Sequence, residues 1–341
     1  MGEGFGMMER ESGNKLDLKS LAVKNMVAVI LVLLFFGFGF GTGGKFFSMA
    51  NIVNLTTQMA INAMLSAGLT YVIILGGIDI SVGSVAALAG IVSALIARET
   101  PEMSVGGSLL VLVLPAIAVG CVCGSFNGLM ITRFKVVPMI ATLAMQTIAR
   151  GFSFIFSGGT AISGVPKAYS WLGAGRWLIT PDKPTGWIPN ITIFVVIAVA
   201  LMAILLSKTV FGRHVYATGS NIQVAHLSGV NTRRVIFIGH VLCSVAAALA
   251  GVLNASKLQN GQPAACEGYE MYAIAATVLG GTSLAGGRGS VARAMFGVAV
   301  IAVINNGMNL MHISSYWQKV VIGSIILLAV ITDMAQKRKK A

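Results

Sequence analysis

Residues 76–84 read Gly76-Gly77-Ile78-Asp79-Ile80-Ser81-Val82-Gly83-Ser84. This stretch places one carboxylate among glycines, between two uncharged apolar runs that are each long enough to enter a bilayer. Glycine permits backbone conformations that other residues resist, so the helices on either side are broken here. At membrane depth a broken segment is tolerated only where protein or water buries it, and an acidic side chain there normally has a function. Asp79 therefore indicates a working part of a membrane protein.

The rest of the chain has the composition of an all-α, polytopic integral membrane protein. Of its 341 residues, 56% are hydrophobic and 10% are charged, whereas soluble domains carry about 25% charged residues. Uncharged stretches near the roughly 20 residues needed to cross a bilayer recur along the chain. They predict about ten transmembrane helices, at residues 23–41, 51–75, 83–97, 109–131, 136–157, 188–207, 235–255, 269–282, 292–311 and 316–333.

The net charge of +13 comes from short basic clusters between the predicted spans, which argues against nucleic acid as a partner. With both termini in the cytoplasm, sixteen of the 24 Lys and Arg residues lie on the cytoplasmic side and seven on the outer side, as the positive-inside rule requires. We therefore expect a cytoplasmic N-terminal segment at 1–20, a transmembrane domain at 21–335 in contact with membrane lipids, and a basic cytoplasmic tail at 336–341.

The motifs of soluble enzymes fail on context. Residues 39–45 resemble a phosphate-binding loop, but Phe46 stands where Ser or Thr would bind magnesium, and no strand precedes the loop. The four cysteines have neither disulfide nor metal-site spacing, and no catalytic triad, zinc-protease motif or carboxylate pair is present in the sequence. We expect no enzyme activity, no cofactor, no metal and no ATP site in this chain.

Polar residues recur at steps of three and four in three predicted helices, which places them on one face of each helix. They are Asn51, Asn54, Gln58, Asn62 and Ser66; Thr142, Gln146, Arg150, Ser153 and Ser157; and Asn305, Asn306 and Asn309. In one interpretation they only hold helices together, at about 0.6 kcal/mol each. In the other they line a wet path for a neutral, hydroxyl-rich solute. The candidate path residues are then Gln58, Asn62, Gln146, Asn305 and Asn309, and the candidate gating residues are Gly76, Gly77, Asp79, Ser81 and Gly83.

Residues 208–234 form the longest connection on the side that the charge distribution places in the cytoplasm. Ser220 or Asn221 can cap a short helix that Gly229 ends, with Ile222, Val224 and Ala225 on one face. A helix lying on the membrane surface would need basic residues around its polar face, and only His226 is available. Docking in the groove of a protein partner is therefore favoured. The candidate coupling residues are Gly219, Asn221, Ala225, Ser228 and Gly229.

Three long motifs, in order, give the chain a family resemblance over about residues 20–335. Residues 76–84, 216–230 and 268–290 resemble the ribose-type permeases of ATP-binding cassette importers. The resemblance implies a type II-like permease of a bacterial inner membrane that imports a ribose-like sugar by alternating access. It also implies three partners: a cytoplasmic ATPase docked on the coupling segment, a periplasmic sugar-binding protein, and a second permease copy or a sister permease.

Alternative functions differ in the charge they require. A permease for branched-chain amino acids or an autoinducer belongs to the same superfamily, but a zwitterionic solute favours more fixed charge than these amides and hydroxyls provide. A secondary transporter needs carboxylates for its coupling ion, and only Asp79 and Glu270 are candidates. Two departures from the family pattern, at Tyr272 and at Ala292-Arg293, bear on the solute more than on the fold.

Overall fold

The computed structural model describes residues 26–102, 104–177 and 188–338. The predicted segment 1–20 and the end of the basic tail, 339–341, lie outside these residues. Within them the chain forms thirteen α-helices, two 3-10 turns at Lys45–Phe47 and Lys167–Ser170, and a two-stranded ribbon. The helices are α1 (Met26–Gly41), α2 (Met49–Ile74), α3 (Val82–Arg98), α4 (Val105–Thr132), α5 (Pro138–Ser157), α6 (Trp171–Ala174), α7 (Asn190–Lys208), α8 (Val210–Ser220), α9 (Ile222–Leu227), α10 (Thr232–Leu258), α11 (Tyr269–Leu279), α12 (Val291–Leu310) and α13 (Ser315–Arg338).

Each of the ten predicted segments contains a helix, but their lengths differ. Six helices, α2, α4, α5, α7, α10 and α12, are long and apolar enough to cross a membrane, while α3 and the apolar parts of α1 and α13 are shorter. Helix α11 has 11 residues, or about 16 Å, roughly half the thickness of a bilayer core. It begins after Gly268 and stops at Gly280-Gly281, where Gly281 has a φ of 90°. The architecture is that of a polytopic membrane protein, and the count of about ten spans stays a prediction.

Helix α10 lies at the centre of the bundle, in contact with α4, α3 and α2. Small residues allow these helices to approach closely, as is common between helices in membranes. A Cβ atom at Gly124 of α4 would lie 2.6 Å from the Cα of Val241, and one at Gly251 of α10 would overlap the backbone of Ala86 in α3. Helices α2 and α3, which lie on either side of the Asp79 segment, therefore both pack against α10.

The segment between α5 and α7 folds back onto the bundle rather than forming an open loop. The Tyr169 hydroxyl donates to Ser93 Oγ at 3.2 Å, and Ser256 Oγ donates to the Tyr169 carbonyl at 2.6 Å. Strand β1 (Arg176–Trp177) pairs antiparallel with β2 (Ile188–Pro189) across the undescribed residues 178–187. Buried hydrogen bonds of this kind fix the described part of the segment to α3 and α10.

Candidate functional site

The Asp79 segment is a buried turn between α2 and α3. Gly76 turns the chain with a φ of 81°, a conformation that favours glycine. The Asp79 carboxylate is fully buried, and its Oδ1 accepts from the Ser81 backbone N–H at 2.9 Å and from Ser81 Oγ at 2.5 Å. Asn127 Nδ2 of α4 donates to Ser81 Oγ at 3.1 Å. A carboxylate beside the first turn of α3 is also favoured by the helix dipole.

Thr142 of α5 fastens the same turn from the other side. Its hydroxyl donates to the Ile78 carbonyl at 3.2 Å and accepts from the Ile80 N–H at 3.3 Å. The second carboxylate oxygen of Asp79 has no N–H or O–H partner among the described residues, and the buried Cys243 thiol of α10 lies close to the carboxylate. Asp79, the expected gating residue, therefore lies at a break between two helices. In this conformation its side chain is fully buried and does not line an open path.

The polar face of α5 meets the start of α11. Gln146 Nε2 lies 3.5 Å from Glu270 Oε1, and Arg150 Nη1 donates to the carbonyls of Pro263 at 2.7 Å and Ala265 at 2.9 Å. Glu270 is 6% exposed, and its Oε2 has no partner among the described residues. Glu270 lies in the first turn of α11, a position from which a side chain can extend to water. The structure instead buries it beside a predicted path residue.

The amides of α2 and α12 divide into two groups. Asn51 Nδ2 donates to Asn306 Oδ1 and to the Phe46 carbonyl, both at 2.9 Å, so this pair joins the two helices. Asn309 Oδ1 accepts from Gln318 Nε2 of α13 at 2.7 Å. In contrast, the Oδ1 atoms of Asn62 and Asn305 are buried without a partner among the described residues. Gln58 is half-buried on α2.

The candidate path residues lie at two levels of the bundle. Ser66 Oγ donates to the Ala273 carbonyl at 3.3 Å, so Asn62, one turn before Ser66, lies near the depth of Glu270 and its neighbour Gln146. Asn305 instead adjoins Asn306, which pairs with Asn51 near the start of α2. Asn51 and Asn62 are eleven residues apart, or about 16 Å along the helix. The structure therefore brings Gln146 to Glu270 and separates both from Asn305 along the axis.

The predicted short helix after Asn221 is present as α9. Asn221 Oδ1 accepts from the N–H groups of Gln223 and Val224, both at 3.0 Å, and Gly229 ends the helix with a φ of 84°. The preceding residues form a further helix, α8, which the sequence analysis did not predict. Ser228 is exposed, and its hydroxyl donates to the Val224 carbonyl at 2.9 Å.

One part of the predicted docking face is wrong. Ala225 is only 4% exposed and packs inward, whereas Ile222 and Val224 are 50% and 57% exposed and Leu227 is 86% exposed. A groove of about 700 Å³ runs beside α9, lined by Ile222, Gln223, His226, Val230 and Arg233. Gly219 also lies against the chain itself, because a Cβ atom there would overlap the Ile74 carbonyl oxygen. The exposed apolar side chains of α9 are Ile222, Val224 and Leu227, and these three residues together are called the apolar ridge.

The buried Asp79 segment and the exposed helix α9 both lie in the part of the chain that matches a known family. A family profile described as the permease component of the branched-chain amino acid transport system matches residues 51–330. The chain belongs to this permease family. The permease is 43% identical to a ribose import permease of Bacillus subtilis over 303 residues, which is 87% of each chain. It is 38% identical to the ribose import permease of Escherichia coli over 293 residues, 85% of this chain and 87% of that one.

A third relative of the permease is named for xylose. The xylose transport system permease of Escherichia coli is 33% identical over 382 aligned positions, which cover 96% of both chains. No solved structure matches the permease. The resemblance to ribose-type permeases that the three motifs indicated is confirmed.

Proposed function

We propose that the chain is the membrane subunit of an ATP-driven importer that passes a ribose-like monosaccharide from a periplasmic binding protein to the cytoplasm. The observation that carries this proposal is the similarity, over 85% or more of the chain, to permeases named for two pentoses. A path lined by amides and hydroxyls suits such solutes, because these groups both donate and accept hydrogen bonds. Within the part of the chain that the structure describes, no feature favours an amino acid over a sugar.

The topology that fits this function has about ten spans of a bacterial inner membrane, both termini in the cytoplasm and a type II-like arrangement. We infer that residues 21–335 form the transmembrane domain, flanked by cytoplasmic segments at 1–20 and 336–341. Segment 208–234, which contains α8 and α9, then faces the cytoplasm. Short α11 makes up about half of the eighth span, and the loop after it completes the crossing, which is tolerated where protein or water surrounds the backbone.

Gln58, Asn62, Gln146, Asn305 and Asn309 are proposed to line the solute path at the two levels described above. On α2, Asn54 is exposed and Gln58 half-buried in a helix otherwise built to cross lipid. Lipid cannot satisfy such a face, so we infer that a second permease copy or a sister permease closes the path there. The segment of Gly76, Gly77, Asp79, Ser81 and Gly83 then acts as the gate.

The apolar ridge of α9 is proposed to bind the ATPase whose ATP hydrolysis drives import. Ile222, Val224 and Leu227 project from a helix that is capped at both ends, which suits insertion into a hydrophobic groove of a cytoplasmic ATPase. ATP binding would favour one of two conformations of the path, and hydrolysis would return it to the other.

The test is transport by a purified complex in sealed vesicles. The permease is reconstituted with the ATPase and binding protein that co-purify with it, and uptake of radiolabelled ribose, xylose and leucine is measured with and without internal ATP. We expect pentose uptake only when ATP and both partners are present. Uptake driven by an ion gradient without ATP would refute the ATP-driven mechanism. Uptake of leucine but of neither sugar would refute a sugar as the substrate.

A further inference from the structure

Three segments from distant parts of the sequence meet where α2 ends. They are the end of α2 at Ile74–Gly76, the end of α8 at Tyr216–Ser220, and the loop at 283–289. The Gly287 N–H donates to the Ile74 carbonyl at 2.8 Å, and the Tyr216 hydroxyl donates to the Gly289 carbonyl at 2.8 Å. We call this contact the glycine junction.

Glycine is required on both sides of the junction because backbone lies directly on backbone. A Cβ atom at Gly219 would overlap the Ile74 carbonyl oxygen. One at Gly286, where φ is 84°, would lie 2.7 Å from the Gly219 carbonyl oxygen and 3.2 Å from the Gly76 nitrogen. At Gly219 the backbone of α8 lies directly on the Ile74 carbonyl, so this contact has little room to deform, whereas farther along α8 the Phe211 ring stacks on Tyr71 of α2. Packed interiors of this kind transmit displacement rather than absorb it.

The junction lies between the two functional features of the chain. On one side, Ser220 is followed directly by Asn221, which caps α9 and its exposed ridge. On the other side, Ile74 is five residues before Asp79, and Gly76 between them occupies a turn with a φ of 81°. A displacement of α9 would therefore reach the end of α2, and through the turn at Gly76 it would reach the Asp79 segment.

We propose that Tyr216 and Gly219 are positioning residues that couple α9 to the Asp79 segment through the glycine junction. Neither residue touches the solute or the ATPase in this assignment. Tyr216 fixes the loop to α8 by its hydrogen bond, and Gly219 keeps the α8 backbone in contact with the Ile74 carbonyl. The inference rests on the proposed function, because it assigns a route for the conformational signal that an ATPase would supply.

Two substitutions test the junction in the reconstituted complex. Tyr216→Phe removes the hydrogen bond and keeps the ring, and Gly219→Ala inserts a methyl group between the two backbones. The controls are Tyr316→Phe, at an 81% exposed side chain, and Gly151→Ala, where no atom from outside its own helix lies within 4 Å of the added carbon. Three quantities are measured: the amount of ATPase that co-purifies, the rate of ATP hydrolysis, and the sugar imported per ATP.

For Tyr216→Phe we expect normal co-purification and hydrolysis, with sugar imported per ATP lower by about 2- to 10-fold, the effect of one net hydrogen bond on a two-state equilibrium. Gly219→Ala should lower this ratio further, and both controls should leave it unchanged. If the wild-type complex imports sugar and Tyr216→Phe keeps the wild-type ratio, the junction inference is overturned and the importer stands. A parallel loss of assembly, hydrolysis and uptake in Tyr216→Phe also overturns it, since the role is then structural. A wild-type complex inert with ATP rejects the proposed function, and the inference falls with it.

Discussion

Replacing Leu227 by alanine should weaken binding of the ATPase without destabilising the permease. The Leu227 side chain is 86% exposed in the isolated chain, so its removal leaves no cavity behind. If the ridge inserts in a groove, that side chain becomes buried on docking. Burying a leucine contributes about 1.5–3 kcal/mol, and truncation to alanine should lose about 1–2 kcal/mol of it. This corresponds to about a 5- to 30-fold higher Kd.

The assay is titration of detergent-solubilised permease with its ATPase, with thermal unfolding measured in parallel. Leu201→Ala is the matched control, because Leu201 is 62% exposed on α7, a helix apolar enough to cross the membrane. Both variants should unfold at the wild-type temperature, and only Leu227→Ala should raise the Kd. An unchanged Kd for Leu227→Ala, or an equal increase for Leu201→Ala, would refute the assignment of α9 as the docking helix.

Three further predictions concern stability. Asn221→Ala should cost about 1 kcal/mol of local helix stability, seen as faster amide exchange in α9 at an unchanged unfolding temperature, and the Asp variant should restore protection. Asn51→Ala and Asn306→Ala should be non-additive in a double-mutant cycle by about 0.6 kcal/mol in unfolding free energy; strict additivity would show that the 2.9 Å bond contributes nothing. Gly124→Leu should cost about 1–3 kcal/mol by overpacking against α10, whereas Gly151→Leu, with open space around it, should stay within about 0.5 kcal/mol of the wild type in the same unfolding assay.

The sequence analysis correctly predicted helix breaks, caps and ends, which depend only on residues that are neighbours in the chain. The break at Gly76, the cap at Asn221 and the end of α9 at Gly229 each require only the conformational preference of one residue and the atoms beside it. The ten helical segments follow from runs of apolar residues in the same way. The structure agrees with these predictions because no distant contact is needed to form them.

Long-range pairing could not be predicted in that way. The sequence placed Asn306 and Asn62 in equivalent polar stripes, yet one is bonded to Asn51 across helices and the other has an unpaired buried oxygen. It placed Ala225 on the docking face, but packing of α9 on its neighbours turns Ala225 inward. Gly219 was assigned to the partner surface, and its real neighbour is Ile74, 145 positions earlier in the chain. Periodicity gives the face of a helix but not what that face meets.

Unpaired buried oxygens provide the link between these contacts and transport. Asp79 Oδ2, Glu270 Oε2, Asn62 Oδ1 and Asn305 Oδ1 all lack N–H or O–H partners among the described residues. A buried polar group without a partner costs about 1–3 kcal/mol, more when it is charged. A donor for each must therefore come from water, from the solute or from rearranged helices. In the proposed alternating-access mechanism, water or the solute would supply these donors in the state in which the path is open. We therefore propose that Asp79, Glu270, Asn62 and Asn305 change partners between the two states, whereas the paired amides Asn51 and Asn306 stay bonded to each other in both.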